Sequence, residues 1–164
     1  MYEFGDLVPE LRPYAEALLS ALQDAGLSPR VTSTLRTVAE QKRLYETYIK
    51  GNSKYPAAAP GWSPHNQGWA FDISVNDDSW LADAGELWES WGGTWGGRFS
   101  DPIHFELGGA SAYLRALREA GESPPVPPGQ PSDFWTRFTH TLGHPLSAVI
   151  DVAEHFNPFG ADRP

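Results

Sequence analysis

The stretch Gly61-Trp62-Ser63-Pro64-His65-Asn66-Gln67-Gly68-Trp69-Ala70-Phe71-Asp72 constrains the fold more than any other part of the chain. It sets an imidazole and a carboxylate seven residues apart. Seven residues of strand span about 23 Å and seven of helix about 10 Å, whereas metal ligands sit about 2.0–2.2 Å from their ion. His65 and Asp72 can therefore share an ion only if the chain reverses between them. Asn66-Gln67-Gly68 suits that reversal, because Gly68 is free to take positive φ. Beyond the turn, apolar Trp69, Phe71, Ile73 and Val75 alternate with Ala70, Asp72 and Ser74, the period of a strand with one buried face. The alternation turns Asp72 toward a surface that tolerates charge. From this segment alone, an ordinary strand with a solvated aspartate would read the same way.

Two further segments share the plan. Residues 30–36, Arg-Val-Thr-Ser-Thr-Leu-Arg, read as a strand with Val31, Ser33 and Leu35 on one face and Thr32, Thr34 and Arg36 on the other. Thr37 with Glu40 forms a capping box, opening a helix to about Ile49 with Leu44, Tyr45, Tyr48 and Ile49 as its apolar stripe. Arg36 thus stands at a strand-to-helix junction, where a surface arginine paired to a nearby glutamate is the ordinary alternative. In Phe99-Ser100-Asp101-Pro102-Ile103-His104-Phe105-Glu106-Leu107, alternation returns: Ile103, Phe105 and Leu107 take one face, His104 and Glu106 the other.

The remainder reads as scaffold. Residues 9–25 predict a helix with Leu11, Tyr14, Ala15, Leu18, Leu19 and Leu22 on one face, Pro13 in its first turn and Gly26 as its stop. Residues 50–62 form a loop rich in chain breakers. Asp77 and Asp78 cap a helix over about 79–91, with Trp80, Leu81, Ala84, Leu87, Trp88 and Trp91 on its buried side. Residues 92–97 are a glycine-rich loop without the Gly-Lys-Ser/Thr of a phosphate loop. A last core helix spans about 111–120, with Tyr113, Leu114 and Leu117 together.

Residues 122–131 hold five prolines in ten and predict an extended, stiff linker. Beyond it, Phe134, Trp135, Phe138 and Leu142 suggest one short helix, and Leu146, Val149, Ile150, Ala153 and Phe156 another. This appendage is too short for a core of its own. Its His140, His144 and His155 have no metal-ligand spacing and are expected to be structural. The expected organisation is 1–121, a catalytic domain; 122–131, a linker; 132–164, a short helical appendage.

Totals narrow the chemistry. The chain has no cysteine, so a metal would be left to histidine and carboxylate. Net charge is −9, and neither end has the basic excess of a nucleic-acid binder. No apolar run reaches the roughly 18 residues of a membrane span. The first residues lack a basic n-region and an apolar h-region, so no signal peptide is expected.

His65, Asp72 and His104 together make two imidazoles and one carboxylate, a common ligand set for catalytic zinc with a fourth position left to water. Such an ion suits hydrolysis, which also needs a general base. Glu106 and Asp101 both stand beside His104, and period-2 spacing slightly favours Glu106. Either can instead orient a histidine. Arg36 can stabilise an oxyanion at the attacked carbonyl.

Ser63-x-His65-x-x-Gly68-x-Ala70-x-Asp72, followed by Gly92-Gly93-x-Trp95 and Asp101-x-x-His104-Phe105, resembles the zinc D,D-peptidase family. That family includes VanY-type D-Ala-D-Ala carboxypeptidases and phage L-alanyl-D-glutamate endolysins. Ser33-x-x-Arg36-Thr37 and Gln41-x-x-Leu44-Tyr45 match the same pattern, so the resemblance runs over about residues 8–120. It implies an α+β fold of the Hedgehog/D,D-peptidase-like kind, a small antiparallel sheet packed with helices, followed here by the helical appendage. It further implies one Zn2+ ion on His65, Asp72 and His104, and Asp101 rather than Glu106 as acid/base, Glu106 then supporting a ligand. Arg36 would polarise the scissile carbonyl, and Ser63 and Trp95 would hold substrate.

The expected partner is the peptidoglycan stem peptide. Aspartate at 101 resembles the endolysin-like branch, so an L-alanyl-D-glutamate endopeptidase is expected, with a D-Ala-D-Ala carboxypeptidase as the alternative. A wall-binding or virion structural module with structural zinc is the alternative from another class. Without a signal peptide, a phage product fits, in the host cytoplasm before release or carried on the virion, the appendage then meeting a virion or cell-wall partner.

Overall fold

Polar and apolar residues alternate along three segments of the chain, and the structure, a computed structural model, joins those segments in one sheet. It describes residues 4–133. The strands are β1 (Arg30–Ser33), β2 (Ala70–Ser74), β3 (Thr94–Trp95) and β4 (His104–Glu106), in the spatial order β1-β2-β4-β3. All three pairings are antiparallel, and Asp72 lies directly opposite His104. The helices are α1 (Arg12–Asp24), α2 (Val38–Ile49), α3 (Leu81–Ser90) and α4 (Ala110–Glu119). The α+β class is therefore as expected from the sequence. No helix among the described residues is long and apolar enough to cross a membrane.

One face of the sheet carries the core. Phe71 and Ile73 of β2 and Phe105 of β4 meet Leu11 at the N-cap of α1, Ala15, Leu18, Leu19 and Leu22 along it, and Leu81, Ala84 and Trp88 of α3. The Phe71 ring lies edge-on to Trp88 at 5.3 Å and stacks on Phe105 at 5.7 Å. Burying side chains of this size stabilises by roughly 1.5–3 kcal/mol each, so this face anchors the sheet. Period 2 then forces Asp72, His104 and Glu106 onto the opposite face.

Local signals set the ends of elements. Pro13 sits in the first turn of α1, and Gly26 follows it at φ +83°. Thr37 and Glu40 form the expected reciprocal cap of α2, a device worth about 1 kcal/mol. Asp77 accepts from the Ser79 N–H, capping a short 3-10 turn that leads into α3.

Several expectations need correction. The first strand stops at Ser33, and a bulge shifts its register between Val31 and Ser33. Strand alternation no longer holds past it, and Arg36 and Ser33, assigned to opposite faces, are hydrogen-bonded at 2.9 Å. The buried face of α2 is Val38 with Gln41, while Leu44 is exposed. Tyr14, Trp80, Trp91 and Tyr113 are likewise exposed, at the margins of stripes whose centres are buried. The glycine-rich loop contains a strand, β3, too short to show a period.

The chain divides into units Met1–Pro128 and Gly129–Pro164. The proline-rich segment up to Pro128 thus belongs with the first unit: Pro124 and Pro127 are buried, and Gln67 Nε2 donates to the Pro125 carbonyl at 3.0 Å. The two appendage helices, with His140, His144 and His155, lie outside the described residues.

Candidate metal centre

The reversal required between His65 and Asp72 is a 3-10 turn, Pro64–Gln67, closed by Gly68 at φ +69°. Position 68 needs glycine twice over. Its φ is left-handed, and a Cβ there would come within 2.9 Å of the Asp6 carbonyl oxygen. Ser63 caps the turn, its Oγ accepting from the His65 N–H at 3.3 Å. Asn66, fully buried, accepts from the Gly61 N–H at 3.0 Å and donates to the Arg36 carbonyl at 2.8 Å. The turn is thereby tied to the start of α2, and the Arg36 N–H completes the tie on the His65 carbonyl at 3.0 Å.

Three donor atoms converge. His65 Nε2 lies 3.0 Å from Asp72 Oδ1 and 3.1 Å from His104 Nδ1, and His104 Nδ1 lies 3.1 Å from the same Oδ1. Each ring's second nitrogen fixes its tautomer. His65 Nδ1 faces the Thr34 carbonyl at 2.7 Å, which can only accept, so Nδ1 carries the proton. His104 Nε2 faces Glu106 Oε2 at 3.0 Å and donates for the same reason. In neutral rings the inward nitrogens therefore present lone pairs, both aimed at a carboxylate oxygen. Three lone pairs with no hydrogen among them repel unless a cation joins them.

A metal ion fits that demand. His65, Asp72 and His104 are buried, and their donor atoms are close enough to hold one ion. Tetrahedral zinc with donors about 2.0–2.2 Å away spaces those donors about 3.3–3.6 Å apart, slightly wider than the 3.0–3.1 Å seen. Side-chain shifts of a few tenths of an ångström close that gap.

Asp72 is buried, unlike the solvated aspartate of the ordinary-strand alternative. Burial raises its pKa, but hydrogen bonds from His104 and His65 outweigh that and hold the carboxyl far below the usual range. Burial lowers the pKa of His65, and the pull of Asp72 only partly offsets it. Burial also acts to lower His104, but hydrogen bonds to the Asp72 and Glu106 carboxylates overcome it and raise that imidazole to about 9. In the absence of metal, a proton on His104 is the competing cation.

Around the donors stands a hydrogen-bonded shell of the kind that orients metal ligands. Glu106, fully buried, receives the Ser111 N–H at 3.0 Å and the Ser111 hydroxyl at 2.7 Å as well as His104. It is thus committed to holding His104. Arg36 donates through NH2 to Asp72 Oδ2 at 3.1 Å and through NH1 to Gln41 Oε1 at 2.8 Å. Gln41, buried, passes its own N–H to the Ala58 carbonyl at 2.7 Å. Spacing did not single out Gln41 or Asn66 as part of the site. The available signal was an amide on an apolar helix stripe and another inside the ligand turn.

Asp101 is the one carboxylate near the donors that is not tied down. Its Oδ1 is buried with no hydrogen-bond partner. Burial pushes its pKa up to about 6, with His104 acting against the rise and Asp72 adding to it. Trp95, a sequence candidate for holding substrate, lies in the core, its indole N–H on the Pro102 carbonyl at 2.8 Å.

Residues 6–98 match the family model of VanY, D-alanyl-D-alanine carboxypeptidase. His104 falls outside that span and joins the site by geometry; Asp101, also outside it, lies near enough for His104 and Asp72 to act on its charge. Among solved structures, the chain resembles the vancomycin resistance D,D-dipeptidase VanXYg in complex with a D-Ala-D-Ala phosphinate analogue. The TM-score is 0.50 and identity 18%, over 71% of this chain and 56% of that one. A VanY D,D-pentapeptidase mutant from a VanB-type resistance cassette, in complex with Zn(II), gives 0.49 at 21% identity, over 71% and 80%. DacB from Streptococcus pneumoniae gives 0.47 at 20% identity, over 74% and 80%. No curated protein sequence matches the chain.

Proposed function

The chain belongs to the VanY D-alanyl-D-alanine carboxypeptidase family, and on that premise we propose that it is a zinc-dependent peptidase of the peptidoglycan stem peptide that removes a terminal D-alanine. The observation that carries this reading is the convergence of three lone pairs from His65, Asp72 and His104, together with a buried, unbonded carboxyl oxygen on Asp101 whose charge His104 and Asp72 act on.

Zinc, when bound, supplies a Lewis acid for the peptide carbonyl and for water. The protein's own residues do the rest. The Thr34 carbonyl and Glu106 accept the outward ring protons of His65 and His104, so that the neutral rings turn their lone pairs inward. Asp101 takes the proton of the attacking water on Oδ1 and returns it to the departing amine as the C–N bond breaks. A carboxyl near pKa 6 suits both halves of that exchange close to neutral pH. Arg36, anchored on Asp72, places a fixed positive charge where the carbonyl oxygen gains electron density.

Aspartate rather than glutamate at 101 favours a second reading, an L-alanyl-D-glutamate endopeptidase. Mass spectrometry of muropeptides digested by the zinc-loaded protein separates the two. Loss of one terminal D-alanine is the expected result. A new amine next to the sugar-linked L-alanine establishes the endopeptidase. Intact muropeptides, with zinc bound and the protein folded, overturn both.

A further inference from the structure

The carboxyl of Asp101 must be aimed by something other than its own hydrogen bonds, because Oδ1 has no partner. The surrounding backbone is held closely. The Gly96 carbonyl accepts from the N–H groups of both Ser100 and Asp101, and the Asp101 carbonyl accepts from the His104 N–H at 3.1 Å. A Cβ at Gly96 would overlap the Asp101 carbonyl oxygen and approach the His104 Cβ to 2.7 Å. Ser100, at φ +68°, is the sole non-glycine residue at positive φ among the described residues. That conformation costs an L-residue roughly 1–2 kcal/mol, and the two hydrogen bonds onto the Gly96 carbonyl hold it in place.

Trp95 packs against the same loop at Gly97. Its ring is clamped between Gly85 of α3 and Gly97, where a Cβ on either glycine would overlap it. Arg98 lies over the ring at 5.6 Å, itself held by Glu89 through a forked pair of hydrogen bonds. From this fixed slot the indole N–H reaches one acceptor, the carbonyl of Pro102, at 2.8 Å. Pro102 directly follows Asp101.

We propose that Trp95 is a positioning residue whose indole N–H, clamped on the Pro102 carbonyl, aims the Asp101 carboxyl into the metal centre. The inference rests on the reading of Asp101 as the acid/base and deepens it. It replaces the expectation that Trp95 touches substrate.

The test is a double-mutant cycle on the zinc-loaded full chain with a soluble pentapeptide muropeptide. Trp95→Phe keeps a ring and loses the N–H. It is expected to lower kcat about tenfold, within the range that misplacing a catalytic group brings, with KM within twofold and zinc content unchanged. In an Asp101→Asn background the same change is expected to do nothing further to the residual rate. A raised KM at parental kcat shows a substrate contact and overturns the proposal, as does an additive loss in the double variant. Should Trp95→Phe fold poorly, benzothienylalanine at position 95 keeps the bicyclic ring without the N–H. Parental kcat in that protein overturns the proposal. If Asp101→Asn alone retains full activity, the acid/base reading falls and takes this inference with it. Full activity in Trp95→Phe alone sinks only the inference.

Discussion

Arg36 meets Asp72 on the side of the carboxylate turned away from the imidazoles: NH2 donates to Oδ2 at 3.1 Å, leaving Oδ1 to His65 and His104. The guanidinium therefore fixes the ligand's rotation as well as contributing charge. Arg36→Ala is expected to weaken zinc binding by about 10–100-fold, the usual cost of losing a partner that orients a ligand. Competition against a chelator measures it. Unchanged affinity would mean that Asp72 is held by the strand alone.

Proton and metal compete for the same lone pairs. His104 is raised from 6.5 to about 9 in the metal-free protein. A pKa raised by folding contributes stability that is full below pH 6.5 and lost as pH climbs through about 9. Denaturant unfolding of the chelated protein is expected to show that decline, and the zinc form not to show it. Zinc affinity moves the other way, rising about tenfold per pH unit up to about pH 9 as one proton is displaced.

Asp101→Asn keeps the shape of the side chain and removes its basicity. The expected loss in kcat is about 10²–10⁴-fold, with zinc retained. In the parent, kcat/KM should fall on the acid side at or below about pH 6, because the carboxyl must be ionised to act and a bound dication can only lower the value of about 6 set by burial. A parental rate in the zinc-loaded variant would remove Asp101 from the mechanism.

Ser111 satisfies a fully buried carboxylate with both its N–H and its hydroxyl. Ser111→Ala deletes the hydroxyl bond and is expected to destabilise by about 1.5–3 kcal/mol, the range for a hydrogen bond to a charged group. Urea unfolding of the metal-free protein reads this directly. A change within error would show that another donor replaces the hydroxyl on Glu106.

Much of this was legible from the chain. Alternation in residues 69–75 and 103–107 placed Asp72, His104 and Glu106 on one face, since period 2 holds wherever a strand runs straight. The turn at Gly68 followed from reach once His65 and Asp72 were taken to share an ion. The pattern failed where the backbone departs from regularity. The bulge after Val31 brought Ser33 and Arg36 together against their assigned faces, and bulges leave no period. β3 has two residues, fewer than any alternation can reveal. Spacing favoured Glu106 as base because it cannot see that Ser111, on a following helix, already occupies that carboxylate. Trp95 matched a motif as a substrate residue, but the glycines that clamp it carry meaning only once α3 is folded against them.

The order of the sheet bears on how an ion would leave. His104 and Asp72 sit on β4 and β2, the two interior strands, with β1 and β3 on the outside. Local opening in proteins begins at such margins, where few contacts must break. Amide exchange at β1 and β3 can therefore proceed while β2 and β4 stay paired and Asp72 and His104 stay registered. His65 is different, because its turn is tied to Thr34 and Arg36 just beyond the edge strand β1, so a bound ion would lose that ligand first, and its residence time follows opening at the rim rather than unfolding of the domain.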